Sequence, residues 1–245
     1  MFTFLKGKPY LKDLIPPNHI DFHSHLLPGI DDGAKTFDDT KALISDLISF
    51  GCEQFITTPH IMGNVWENTP QIIAAKLAET NKKLTEAGLN IKLRAAAEYL
   101  IDSNFVKLVA SERLLTLNDN YVLVEMSYIN PPLQLYDVLF DLQVAGYIPV
   151  LAHPERYSFY FKSFGEYQKL KNAGCRFQIN LLSTVGYYGK WVAQIADRLL
   201  QAGLIDFAGS DVHHDTHARS FEKRVLIKDV KPLQAALENN VIFRF

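Results

Sequence analysis

"DFHSHLLPGIDDGAK", residues 21–35, joins the end of a short apolar run to two histidines, a Pro-Gly turn and two adjacent aspartates. Strand side chains alternate between faces, so His23 and His25, two residues apart, leave a strand from the same face. Alone, such a pair leaves two readings open: metal ligands, or polar residues at a strand end that are hydrogen-bonded and inert. Asp31 and Asp32 are equally open, because Gly-Ile-Asp-Asp-Gly also suits a loop or the start of a helix.

The rest of the chain gives the pair its context. Runs rich in Val, Ile, Phe and Tyr recur at 19–24, 53–59, 90–98, 121–127, 147–152, 175–181 and 204–209. Helix-like stretches lie between most of them, with apolar residues at three- and four-residue spacing. The first is well marked. Thr36 with Asp39 makes a capping-box pattern, Leu43, Ile44, Leu47 and Ile48 form a stripe, and Gly51 stops it. Further helices are expected at 70–87, 133–145, 163–173, 188–202 and 231–239, while the segment between the third and fourth runs is shorter and less regular. Strand–helix alternation repeated seven times favours a parallel sheet. With no Gly-rich dinucleotide fingerprint after the first run, the expectation is a closed or nearly closed α/β barrel; an open doubly wound sheet is the alternative.

Barrels of this kind gather their chemistry at the carboxyl ends of the strands. The first run ends in His23 and His25, the second in His60, the third in Glu98 and the fourth in Glu125. The fifth ends in His153 and the seventh in Asp211 and His213; only the sixth, ending near Asn180, brings no obvious ligand. Such convergence favours the metal reading of the opening pair.

Composition limits the alternatives. The chain has 245 residues, 48% hydrophobic and 21% charged, enough for a full core. A net charge of −2 and a pI near 6.4 offer no basic field for nucleic acid or an anionic membrane. Cys52 and Cys175 cannot form a disulfide framework and fit a reduced, cytoplasmic setting. The start, "MFTFLKGKPYLKDLIPP", is broken by lysines and fits neither a signal sequence nor a membrane span. Residues 1–18 are therefore read as an N-terminal extension and 19–245 as the barrel.

"DFHSHLLPGIDDGAK", "ITTPH", "AAAEYL", "LVEMS", "LAHPERY" and "GSDVH" occur in this order. Together they resemble the bacterial tyrosine phosphatases of the polymerase-and-histidinol-phosphatase (PHP) superfamily, the type associated with capsular and exopolysaccharide synthesis. The resemblance runs from about residue 19 to about 220, and it implies a distorted (β/α)7 TIM-like barrel carrying three divalent metal ions, with Mn first and Fe or Zn as alternatives. It would put His23, His25, Glu98 and Asp211 around one ion. Glu98 would bridge to a second, shared with Glu125 and His153, and Asp32, His60 and His213 would hold the third. Arg156 would act on the substrate phosphate, and Arg219 would be a second phosphate contact, although "HHDTHARSF" matches the family pattern only loosely. The implied activity is hydrolysis of phosphotyrosine in protein, with the tyrosine-rich tail of a bacterial tyrosine kinase as substrate. Rivals are another phosphoesterase of the superfamily, such as a histidinol phosphatase or a nuclease, and a non-catalytic binding module.

The donor chemistry agrees with that resemblance. Imidazole and carboxylate without thiolate suit Mn, Fe or Zn and do not choose among them. Three divalent ions would leave a net positive cluster, which a phosphomonoester dianion balances. The remaining candidates have plainer readings. His19 opens its strand and reads as structural, and His214 and His217 read as solvated or helix-start residues. The run Tyr157 to Phe161 reads as loop packing, or else as a wall for the substrate ring with Tyr187 and Tyr188 opposite. No arginine lies six positions after either cysteine, since Thr58 and Leu181 stand there, so neither thiol is expected to be a nucleophile.

Overall fold

A computed structural model describes residues 7–91 and 93–245. The strands are β1 (His19–Asp21), β2 (Cys52–Thr57), β3 (His60–Ile61), β4 (Leu93–Ala95), β5 (Glu98–Leu100), β6 (Tyr121–Glu125), β7 (Ile148–Ala152), β8 (Arg176–Asn180) and β9 (Phe207–Gly209). The helices are α1 (Phe37–Ser49), α2 (Pro70–Glu86), α3 (Ser103–Ser111), α4 (Leu135–Val144), α5 (Gly165–Asn172), α6 (Lys190–Gln201), α7 (Asp215–Arg219) and α8 (Lys231–Asn239). None of the described helices is long and apolar enough to cross a membrane.

Every ladder is parallel. The strands form a three-stranded sheet, β1-β2-β4, and a six-stranded sheet, β3-β5-β6-β7-β8-β9. The second and third sequence runs each divide in two. Pro59 has no N–H to give the ladder, so β2 stops and the chain restarts as β3. Ala96-Ala97 separates β4 from β5 beside that break, with Ala96 N–H donating to Thr57 O at 2.9 Å and Glu98 N–H to Pro59 O at 3.1 Å across the step. His60 and Glu98 therefore open short continuation strands instead of closing long ones.

The outer edges of the two sheets meet as well. Ser24 and Val212 form an isolated parallel bridge, and Asp211 N–H donates to His23 O at 2.7 Å. Lower down, where β1 and β9 share no ladder, the Asn240 amide donates to Ile20 O at 3.2 Å and Ala208 O at 2.7 Å. Side chain replaces backbone at that seam. The result is the expected distorted TIM-like arrangement.

Inside the strands a separate apolar cluster gathers Ile20, Phe22, Ile56, Leu123, Val150, Ala152 and Phe207, with Phe243 from the C-terminal turn closing it. Helices cover the outside over a second, larger cluster. The α1 capping box is present, with the Thr36 hydroxyl accepting from Asp39 N–H at 3.2 Å and Asp39 returning to Thr36 N–H at 2.9 Å. Leu43, Ile44 and Leu47 are buried as the stripe predicts, while Ile48 at its edge is exposed. The irregular segment after the third run folds as α3, started by Asp102, whose carboxylate accepts from Phe105 N–H at 2.8 Å. Residues 1–6 of the expected extension lie outside the described residues. Leu11, Leu14 and Ile15 belong to the larger core cluster, and Leu11 N–H donates to Lys223 O at 2.9 Å.

Candidate metal centre

The carboxyl ends of the strands enclose a cavity of about 370 Å³ whose lining includes Asp32, His60, Glu98, Glu125, His153, Asp211 and His213. His23 and His25 lie fully buried at its floor. Three groups of donor atoms fall within 4.8 Å of one another: His23, His25, Glu98 and Asp211; His60, Glu98 and Glu125; and His25, Asp32, His60 and His213. The first has the composition expected from the sequence. In the second His60 stands where His153 was expected, but His153 Nε2 is 3.0 Å from Glu98 Oε1. His60 shows one nitrogen to each of two groups: Nδ1 is 2.9 Å from Glu125 Oε1, and Nε2 is 3.5 Å from Asp32 Oδ1.

Backbone geometry aims these side chains. Val150 and Ala152 belong to the interior cluster, so strict alternation would turn the next residue outward. His153 instead takes a left-handed backbone, φ 37°, which swings its ring inward; Asp211, φ 50°, does likewise. Such conformations cost about 1–3 kcal/mol each and persist at sites that need them. Two glycines make room. A Cβ at Gly33 would stand 2.3 Å from His25 Cβ, and one at Gly209 would stand 2.7 Å from His23 Cβ.

Neighbouring groups also fix which nitrogen faces the cavity. The His23 Nδ1–H donates to Gln178 Oε1 at 2.7 Å, and the His25 Nδ1–H donates to Asp31 Oδ2 at 2.8 Å. Each ring then turns Nε2 inward, the usual outer support of a ligating histidine. Asp31 thus positions a ring, whereas Asp32, more than half exposed, reaches into the cavity.

What remains is a set of unsatisfied atoms. His23 Nε2, His25 Nε2, His60 Nδ1, Glu98 Oε2 and Glu125 Oε1 are all buried without a hydrogen-bond partner. Glu98 Oε2 lies 3.2 Å from His23 Nε2, 3.4 Å from His25 Nε2 and 3.3 Å from His60 Nδ1, close enough for ion pairing but not aligned for hydrogen bonds. Buried polar atoms are normally paired, and five orphans converging on one point need a cation. The electrostatics agree. Burial opposes protonation of His23, yet the Glu98 and Asp211 carboxylates override it and raise its pKa to about 10. Burial likewise opposes ionisation of Glu98 and Asp211, but the surrounding imidazoles, His23 first, hold both well below the usual carboxylate range. The site draws positive charge, and its residues suit divalent ions.

Arg156 reaches this cavity from the turn after β7. Its guanidinium lies between the rings of Tyr188, at 4.1 Å, and Tyr128, at 4.7 Å, and donates to Asp211 Oδ2 at 2.9 Å. β8, the sixth apolar run of the sequence and the one that showed no ligand there, supplies the support. Asn180 Nδ2 donates to Asp211 Oδ2 at 2.7 Å and to the Tyr188 hydroxyl at 3.1 Å. Glu155, fully buried, accepts from Asn180 N–H at 2.9 Å and from Ser183 Oγ at 2.6 Å, tying the Arg156 turn to that strand.

Arg219 does not join it. On α7 it pairs with Asp215 one turn earlier, is largely exposed, and is not in the cavity lining, so a phosphate contact from it is not supported. The aromatic wall is also rearranged. Tyr157 is buried, its hydroxyl accepting from Met126 N–H at 2.9 Å, so the run 157–161 packs the loop as its plainer reading held. Of the two tyrosines expected opposite, Tyr188 lines the cavity and Tyr187 does not, and Tyr128 and Trp66 join it. Trp66 arrives on a tight hairpin with Met62, and no motif marks it. His19 is buried at the far end of β1; His214 starts α7 and lines the cavity with His217. Both cysteines are buried and free, and burial pushes the Cys175 thiol up to about 12 and that of Cys52 well above its ordinary value.

Residues 19–227 match the family described as capsular polysaccharide synthesis, CpsB/CapC. The tyrosine-protein phosphatase YwqE of Bacillus subtilis is 33% identical over 196 residues, covering 80% of this chain and 77% of the relative. The tyrosine-protein phosphatase CpsB of Streptococcus pneumoniae is 27% identical over 201 residues, 80% of this chain and 83% of the relative. A crystal structure from work on YwqE and CpsB, described as unique metal-dependent tyrosine phosphatases, superposes with a TM-score of 0.76 at 31% identity, covering 82% of this chain and 84% of that one. Histidinol phosphate phosphatase of Lactococcus lactis shares the fold at TM-score 0.51 and 14% identity, over 84% and 91% of the two chains. The chain belongs to the capsular polysaccharide synthesis CpsB/CapC family.

Proposed function

We propose that this protein is a metal-dependent phosphatase acting on phosphotyrosine in protein, with a bacterial tyrosine kinase as its physiological substrate. The observation that carries the reading is the convergence of five buried, unpartnered donor atoms beside an arginine held between two aromatic rings. Family membership and the named activity of the relatives support the substrate class. His23, His25, Asp32, His60, Glu98, Glu125, His153, Asp211 and His213 would hold three divalent ions, Mn in the first instance. Bound there, such ions supply positive charge against the transferring phosphoryl group and lower the pKa of water enough to make a nucleophile near neutral pH.

The chain's own residues do the rest. Arg156 offers a fork of N–H donors matched to phosphate oxygens, and the flanking tyrosines fix its plane. Asn180 and Glu155 hold that arrangement before substrate arrives, so little reorganisation is needed in the transition state. Tyr128 and Trp66 present aromatic surface to a phenyl ring. A tyrosine leaving group has a pKa near 10, so it departs with modest protonation at most.

The test is a steady-state comparison of a phosphotyrosyl peptide, histidinol phosphate and a phosphodiester with the metal-loaded protein. The peptide should be turned over with the highest kcat/KM. Exhaustive chelation should abolish activity, and Mn should restore it. Faster hydrolysis of histidinol phosphate, or activity surviving demetallation, would contradict the reading.

A further inference from the structure

A second cavity, about 360 Å³, lies between the start of α1 and α7. It shares Asp32, His213 and His214 with the metal cavity, so the two are adjoining parts of one trench. Their chemistry differs. The metal cavity is lined by imidazoles, carboxylates and Arg156, whereas the side cleft is floored by Gly33, Ala34, Ala42 and Leu43. Two of the acids at its rim are already engaged: Asp39 caps α1 through Thr36, and Asp215 pairs with Arg219. What the cleft has left to offer is an apolar floor, with the exposed Lys35 side chain at its rim.

The geometry points to this cleft as a subsite for an apolar side chain adjacent to the phosphotyrosine in the same protein substrate. The inference rests on the proposed phosphatase activity and extends it to the substrate sequence. With the phosphate held by the metal cavity and Arg156, the next residues of an extended chain advance by about 3.3–3.6 Å each, so a neighbour soon leaves the metal cavity. The adjoining cleft is apolar and large enough for one aliphatic or aromatic side chain. Burying such a side chain there favours a substrate carrying one over a substrate with glycine at that position by about tenfold or more.

The experiment uses the metal-loaded protein and three substrates: free phosphotyrosine, a peptide with phosphotyrosine between glycines, and the same peptide with leucines on both sides. Wild type should favour the leucine peptide over the glycine peptide by about tenfold or more in kcat/KM. Ala42→Phe fills the cleft from an exposed position on α1. It should remove that preference and leave turnover of free phosphotyrosine and the glycine peptide unchanged. Ala42→Leu provides the same comparison should the larger side chain impair folding. No leucine preference in wild type, or a preference that survives filling, would overturn the subsite. So would an equal loss on all three substrates, which would tie the cleft to the chemistry itself. A wild type inactive on every substrate would overturn the phosphatase reading, and the subsite with it.

Discussion

At the lower end of the barrel interior Phe22 and Phe243 pack with ring centroids 4.4 Å apart, and Phe207 and Phe243 at 4.9 Å, all in a cluster without charge. At the upper end, a few residues further along the same strands, five polar donor atoms are buried with no partner. The lower end gains stability from apolar contact; the upper end carries the cost of buried charge until cations arrive. Fold and function are thus separated along the barrel axis, and damage at one end should leave a different signature from damage at the other.

The largest effect is expected at the lower end. Phe243→Ala removes a fully buried ring that closes the interior cluster and should cost about 3–5 kcal/mol of stability. Urea unfolding reads that loss, while kcat/KM per folded molecule should stay close to wild type. A collapse of activity in the folded fraction would show that the two ends are not separable.

At the upper end the signature should invert. Arg156→Ala should keep the bound metal and lower kcat/KM by about two to three orders of magnitude, as for loss of a transition-state donor. Its unfolding midpoint should move little. Wild-type kinetics in a fully metallated variant would remove Arg156 from the reaction.

A smaller effect is expected from pH at the lower end. His19 lies at the lower end of β1, where burial, assisted by the Arg244 charge, brings its pKa down to about 4. Its folded pKa is below the unfolded value near 6.5, so its neutral form contributes stability fully above 6.5. That contribution is lost as pH falls towards 4, because the unfolded chain then binds a proton that the folded one refuses. The loss should be on the order of 2–3 kcal/mol. His19→Gln removes it, so the wild-type stability should fall by that much more than the variant's between pH 7 and 4. Parallel curves for the two proteins would contradict this.

Much of this division was legible in the sequence because strand-end positions and ligand chemistry coincide. His23, His25, Glu125, His153 and Asp211 follow apolar runs directly, and alternation of runs and helices orders them around a barrel. What the sequence hid depends on contacts between distant segments. Asn180 looked idle because an amide is a poor ligand; its role comes from reaching Asp211 and Tyr188 together. The Asn240 seam is an ordinary residue near the C-terminus until β1 and β9 fail to pair beside it. The α3 helix was missed because its start signal, Asp102, sits in a segment with weak periodicity. Arg219 illustrates the converse. A loosely matched motif suggested a phosphate ligand, but one helical turn brings it to Asp215 instead.

If the orphaned atoms form one shared metal cluster, Glu98 is the residue whose loss should disturb it most. Oε2 faces His23, His25 and His60, while Oε1 faces His153 at 3.0 Å, so the two oxygens serve different groups. Elemental analysis of purified wild type and Glu98→Ala, prepared side by side, measures this. Wild type should carry three divalent ions per chain, and the single substitution should remove more than one of them. An unchanged metal content in the folded variant would contradict the shared cluster.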